Sequence, residues 1–217
     1  MGMEAFADED IDFAQLAGQL SRERAAAAAN RWYGCHKHFD GSLKVRHVYT
    51  VAELAWRYTK SLKLEDERSR RYFREVAWVA GLLHEGMMSG ASYEVLIEES
   101  DQLVARIVAD LTPDLRQPWS KRAESYANQL GRAEALTQVV KLADLKHDLA
   151  LLRLWFDDKT VGAKLVEVRY QAHEARLAAQ ALNLYESMDL RPVLECVQEE
   201  ARSIELAANK KGKQQNG

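Results

Sequence analysis

Leu136-Thr137-Gln138-Val139-Val140-Lys141-Leu142-Ala143-Asp144-Leu145-Lys146-His147-Asp148-Leu149 is the stretch on which the reading of this chain turns. Leu136, Val139, Val140 and Ala143 recur at steps of three and four, the period of a helix with one apolar stripe. The same steps continue onto Asp144, His147, Asp148 and Leu151. A carboxylate therefore stands where a hydrophobe is expected. The spacing predicts a helix over 136–155 whose core-facing side carries ionisable groups.

Outward from this segment the same period recurs. Helices are predicted over 13–32, 44–62, 65–83, 92–99, 101–111, 161–187 and 192–208, with loops over 34–42 and 112–120 and a frayed polar tail over 210–217. No alternating strand pattern, internal repeat or long linker interrupts them. The 65–83 segment ends in the apolar run Val76 to Leu83, which belongs in a core, and His84 and Glu85 follow it directly. His47 falls in the opening turn of the 44–62 helix.

Composition narrows the class. Of 217 residues 47% are apolar and 29% charged, with only 3 Pro and 11 Gly, which excludes a disordered or collagenous chain. A net charge of -3 offers no general attraction for nucleic acid or an anionic membrane, so any phosphate binding must be local. Cys35 and Cys196 match no zinc or redox spacing. No signal pattern opens the chain, and no apolar run reaches the roughly 20 residues that span a bilayer. The expectation is a cytoplasmic protein with no membrane or nucleic-acid partner, for which a homo-oligomer stays open.

His47, His84, Glu85 and Asp144 each lie beside apolar helical sequence from which a charge should be excluded. Burial of an unpaired charge is expensive, so either paired, hydrogen-bonded structural roles or a shared metal ion would explain them. A mixed imidazole and carboxylate set suits a borderline divalent ion such as Mn, Fe, Co or Zn. His173 has no motif around it and is given no role.

The order of these segments resembles the HD-domain metal-dependent phosphohydrolases, and within them the guanosine polyphosphate (ppGpp) hydrolases. Gly41 precedes His47 by six residues in Asp-Gly-Ser-Leu-Lys-Val-Arg-His, Leu82-Leu83-His84-Glu85 stands for the family's LLHD, and Val140 to Leu149 is similar to its VKLADRLHNL. The likeness spans roughly 32–152. It implies an all-α, HD-domain-like helical bundle with additional C-terminal helices. The chain would form a single helical domain over 1–217, with an HD-like core over about 30–155, a C-terminal extension over about 156–208 and a polar tail over 209–217.

The resemblance further implies that His47, His84, Glu85 and Asp144 hold a divalent metal ion, Mn foremost, with Fe, Co, Zn or Mg as alternatives. Glu85 stands where the family has aspartate, and Met88 and Ser89 stand where the hydrolases have an acidic pair. The general base would then be Glu85 or Asp148, the latter at the family's asparagine position. Lys37 and His38 fall near the family's basic pair and, with Lys141, would engage a nucleotide or other phosphorylated small molecule. His147 lies three residues beyond Asp144, either as a replacement ligand or in a supporting role. The expected activity is hydrolysis of a phosphoester or phosphoanhydride bond by metal-activated water. A catalytically inactive regulatory or nucleotide-binding protein is the alternative, and a purely structural helical partner protein a third.

Overall fold

Ser21 accepts a hydrogen bond from the Arg24 amide at 3.2 Å and so opens helix α1, Arg22–Tyr33. The computed structural model describes residues 20–62, 66–156, 160, 162–184 and 190–215. Among them α1 is followed by α2 (Lys44–Tyr58), α3 (Glu67–Leu83), α4 (Tyr93–Glu99) and α5 (Gln102–Asp110). Then come α6 (Trp119–Arg132), α7 (Ala135–Trp155), α8 (Gly162–Ala181) and α9 (Arg191–Gln215). No strand occurs among the described residues. An isolated antiparallel bridge between Lys37 and Leu43 pinches the loop between α1 and α2. The fold class is all-α, as expected.

Several boundaries differ from the predicted ones. The helix predicted over 13–32 begins at Arg22, because Ser21 caps it, and the part over 13–19 lies outside the described residues. That predicted over 44–62 ends at Tyr58 and tightens into a 3₁₀ turn, Thr59–Ser61. Helix α6 was not predicted: the expected loop over 112–120 takes in its first residues, and no element was assigned to 121–135. Yet Ala123, Tyr126 and Leu130 are buried at helical spacing. The predicted frayed tail is helical to Gln215, because Ala201, Ile204 and Ala208 bury one stripe of α9 and Gly212 packs against Arg169 of α8.

Helix α7 departs from its predicted single stripe. Every residue from Leu136 to Leu145 except Lys141 is buried, because α7 runs through the middle of the bundle and meets α2, α3, α5, α6, α8 and α9. One cluster of buried side chains extends from Ala25 in α1 to Ala208 in α9. The Asp144 carboxylate, inside this buried stretch, is therefore only 6% exposed.

The crossing of α2 and α3 sets the rest. A Cβ on Gly81 would stand 2.8 Å from the Cα of Ala52, so the bare glycine lets the two backbones touch. His47 lies in the turns just before Ala52 and His84 in the turn just after Gly81. This close approach puts the two imidazoles side by side, with their ring centres 5.2 Å apart.

Candidate metal centre

Three buried side chains, from α2, the C-cap of α3 and α7, converge where these helices meet. His47 Nε2 lies 3.2 Å from Asp144 Oδ1 and 3.2 Å from His84 Nε2, and His84 Nε2 lies 3.3 Å from Asp144 Oδ1. Each residue is at most 6% exposed. The His84 ring proton sits on Nδ1, which donates to the Gly81 carbonyl at 2.7 Å, so in the neutral ring the Nε2 lone pair faces inward.

Asp144 is oriented from the other side. Lys141 Nζ, one turn back on α7, meets Oδ2 at 2.8 Å, while the buried Oδ1 has no hydrogen-bond partner. Burial pushes the Asp144 carboxyl up, but the Lys141 ammonium and the facing His84 and His47 imidazoles outweigh it and hold the group well below the usual carboxylate range. Burial lowers the Lys141 ammonium, and Asp144 and Tyr126 more than restore it. In His84 burial likewise lowers the imidazole and the nearby Asp144 carboxylate lifts it above its ordinary value.

The geometry fits a divalent ion. Donor atoms bound at 2.0 to 2.2 Å at tetrahedral or octahedral angles lie about 3.0 to 3.5 Å from one another, the spacing found here. An orphaned carboxylate oxygen among imidazole nitrogens is also the donor chemistry a transition ion takes.

A second group of the same kind shares His47: His38, His47 and Asp148. His47 Nδ1 and His38 Nε2 each lie 3.3 Å from Asp148 Oδ1, and the His38 and His47 rings stack with centres 4.6 Å apart. Burial lowers His38, but Asp148, Glu85 and Asp40 together raise it above its ordinary value. His47 Nδ1 also lies 2.8 Å from His147 Nδ1. Burial and the neighbouring His47 lower the His147 imidazole.

Glu85 does not join either group. It lines the same cavity, but its Oε2 forms an ion pair with Lys44 Nζ at 2.9 Å. Lys37 is exposed on the loop and does not line the cavity, whereas His38, Lys141 and Asp148 do. That cavity measures about 250 Å³ and is walled by Met88, Tyr126 and, from α8, Gln171, Glu174, Ala175 and Ala178. Burial pushes the Tyr126 phenol up to about 12. Tyr126, Gln171 and Glu174 were not singled out in the sequence. Only the helical spacing of Tyr126 with Ala123 and Leu130 marked it, and nothing marked the other two. His173 sits apart, paired with Glu205 at 2.8 Å.

No protein-family model matches the chain, and no curated protein matches it. Among solved structures it is similar to a metazoan ortholog of SpoT that hydrolyses ppGpp and plays a role in starvation responses. The TM-score is 0.61 over 85% of this chain and 94% of that one, at 16% sequence identity. Such a likeness carries the fold: an HD-domain-like helical bundle, here with α8 and α9 as its C-terminal helices. No helix among the described residues is long and apolar enough to cross a membrane.

Proposed function

We propose that this chain is a metal-dependent phosphohydrolase acting on a nucleotide or related phosphoester or phosphoanhydride. The observation that carries the reading is the meeting of His47 Nε2, His84 Nε2 and Asp144 Oδ1 within 3.3 Å of one another inside the helical bundle. These three would hold the ion, Mn foremost. A divalent ion bound there supplies Lewis acidity, lowering the pKa of water and stabilising charge on a phosphoryl oxygen.

The protein's own groups then divide the remaining work. Lys141 fixes Asp144 through Oδ2 and leaves Oδ1 open to the ligand set. This gives Lys141 an anchoring role beside its proposed contact with phosphate. His38, raised toward its charged form at the cavity wall, attracts a phosphate group, and Lys37 adds charge on the same loop. Asp148, with a buried Oδ1 that lacks a hydrogen bond, is the acceptor for a proton from water, and Glu85 is the alternative. Glu85 would complete the ligand set by leaving Lys44. The two free, exposed cysteines suit a reducing cytoplasm.

Two observations favour a second reading, a nucleotide-binding protein without turnover. Glu85 is engaged by Lys44, and Met88 lines the cavity where the resembled hydrolases carry acid. Metal analysis of the purified protein, followed by a nucleotide screen with Mn, Co, Fe and Mg, separates the two. Release of phosphate or pyrophosphate from one substrate supports the hydrolase. Saturable nucleotide binding without release supports the binding protein.

A further inference from the structure

His47 is the one proposed ligand whose ring faces side-chain partners at both nitrogens. Its Nε2 points to Asp144 and His84, while its Nδ1 lies 2.8 Å from His147 Nδ1 and 3.3 Å from Asp148 Oδ1. A neutral imidazole carries one proton and one lone pair, so it serves a cation through one nitrogen only. Two ring nitrogens 2.8 Å apart need a single proton between them. If that proton sits on His47 Nδ1, the Nε2 lone pair is free for the Asp144 and His84 set. If it sits on His147, His47 presents a lone pair to the wrong side and an N–H to the metal position.

His84 solves the same problem with backbone, giving its Nδ1 proton to the Gly81 carbonyl. His47, in the first turns of α2, has no such carbonyl among its hydrogen bonds, and a side chain takes the place. His147 lies on α7 three residues after Asp144, so the helix that carries one ligand also carries the partner of another. We propose that His147 is a positioning residue: its Nδ1 accepts the His47 Nδ1 proton and so leaves the His47 lone pair on Nε2, facing the Asp144 and His84 set, rather than on Nδ1, facing Asp148. The inference rests on reading that set as the metal site. It also removes His147 from the ligands, since its inward nitrogen is spent on His47.

The test uses zinc, which is diamagnetic, titrated calorimetrically into the wild-type chain and into His147→Ala, His147→Gln and Asp148→Asn, each checked for helix content. Loss of an orienting partner lowers metal affinity by about 10- to 100-fold, and that is the expected effect of His147→Ala. His147→Gln, whose amide oxygen accepts the same hydrogen bond, should stay within a few-fold of wild type, and Asp148→Asn should cost less than His147→Ala. Nitrogen-15 spectra of the zinc-loaded wild type should put the His47 ring proton on Nδ1. Wild-type affinity in the alanine variant, a glutamine variant as weak as alanine, or a His47 proton on Nε2 would each overturn the inference. A wild type that binds no zinc overturns it together with the metal-site reading. Zinc binding in the expected pattern without nucleotide turnover supports it while sinking only the hydrolase reading.

Discussion

Glu85 tests the enzyme reading at the scale of one residue. Its carboxylate is next in sequence to His84, yet its Oε2 is held by Lys44 Nζ at 2.9 Å. If Glu85 works on water or on the ion, Glu85→Gln should lower turnover by about 10²-fold or more, the usual worth of a positioned acid or base, and should reduce the manganese content of the purified protein. Glu85→Asp, which restores the residue of the resembled family, should keep both. Phosphate release and metal content of the three proteins decide it, and an active parent indifferent to Glu85→Gln removes Glu85 from the site. His47, His84 and Asp144 were legible in the sequence because each interrupts an apolar period. The Lys44 partner of Glu85 was not, since a contact between residues 44 and 85 depends on how α2 crosses α3, and no periodicity encodes that crossing.

Elements set the site through two contacts. At Gly81, alanine would gain about 1 kcal/mol of helix propensity, but its Cβ would stand 2.8 Å from the Ala52 Cα and 3.0 Å from the Ala52 nitrogen. Both are backbone atoms, so no rotamer change relieves the clash, and overpacking of this kind costs about 1 to 3 kcal/mol. Gly81→Ala should therefore be destabilising on balance and should weaken metal binding by parting His47 from His84. Urea unfolding and zinc titration of the variant read the two effects. The second contact ties α8 to α9, where Glu205 accepts from His173 and Arg176. Burial raises the Glu205 carboxyl, but those two bonds and the Arg176 charge outweigh it and hold the group below its ordinary 4.5. The pair's contribution is therefore complete above that ordinary value and fades as pH falls through the lower folded value. Being partly exposed it is worth about 1 kcal/mol. Glu205→Gln should lose stability at pH 7 and match wild type well below pH 4 in urea melts; an equal deficit at both pH values would mean the carboxylate charge is not what binds the helices. Apolar periodicity revealed α2, α3 and α7, but it passed over α6, whose buried Ala123, Tyr126 and Leu130 are outnumbered by polar residues. It also passed over the last turns of α9, where a glycine rather than a hydrophobe makes the contact.

At the scale of the whole molecule, the sequence disclosed a helical bundle with charged groups in its core, but not that α8 walls the cavity, because Gln171 and Glu174 reach it only through tertiary packing. The bundle and the site are energetically linked. An ion that binds the folded chain alone stabilises it by about 2.7 kcal/mol at one hundred times its dissociation constant. In a chain of this size each kcal/mol moves the midpoint by about 2 to 4 °C. Saturating manganese should thus raise Tm by about 5 to 10 °C, and a chelator should return it. The acidic excess, 33 Asp and Glu against 30 Lys and Arg, allows a weak nonspecific response to any divalent cation, so calcium serves as the control. Calcium prefers an all-oxygen shell and should gain little from two imidazoles. Asp144→Asn should abolish the manganese shift, and the comparison must be made within each variant. Without that anion the half-buried Lys141 loses its ion-pair partner, which by itself lowers the starting midpoint. Equal shifts with manganese and calcium, or a manganese shift that survives Asp144→Asn, would mean that ions act on the surface charge and that His47, His84 and Asp144 hold one another through a proton rather than a metal.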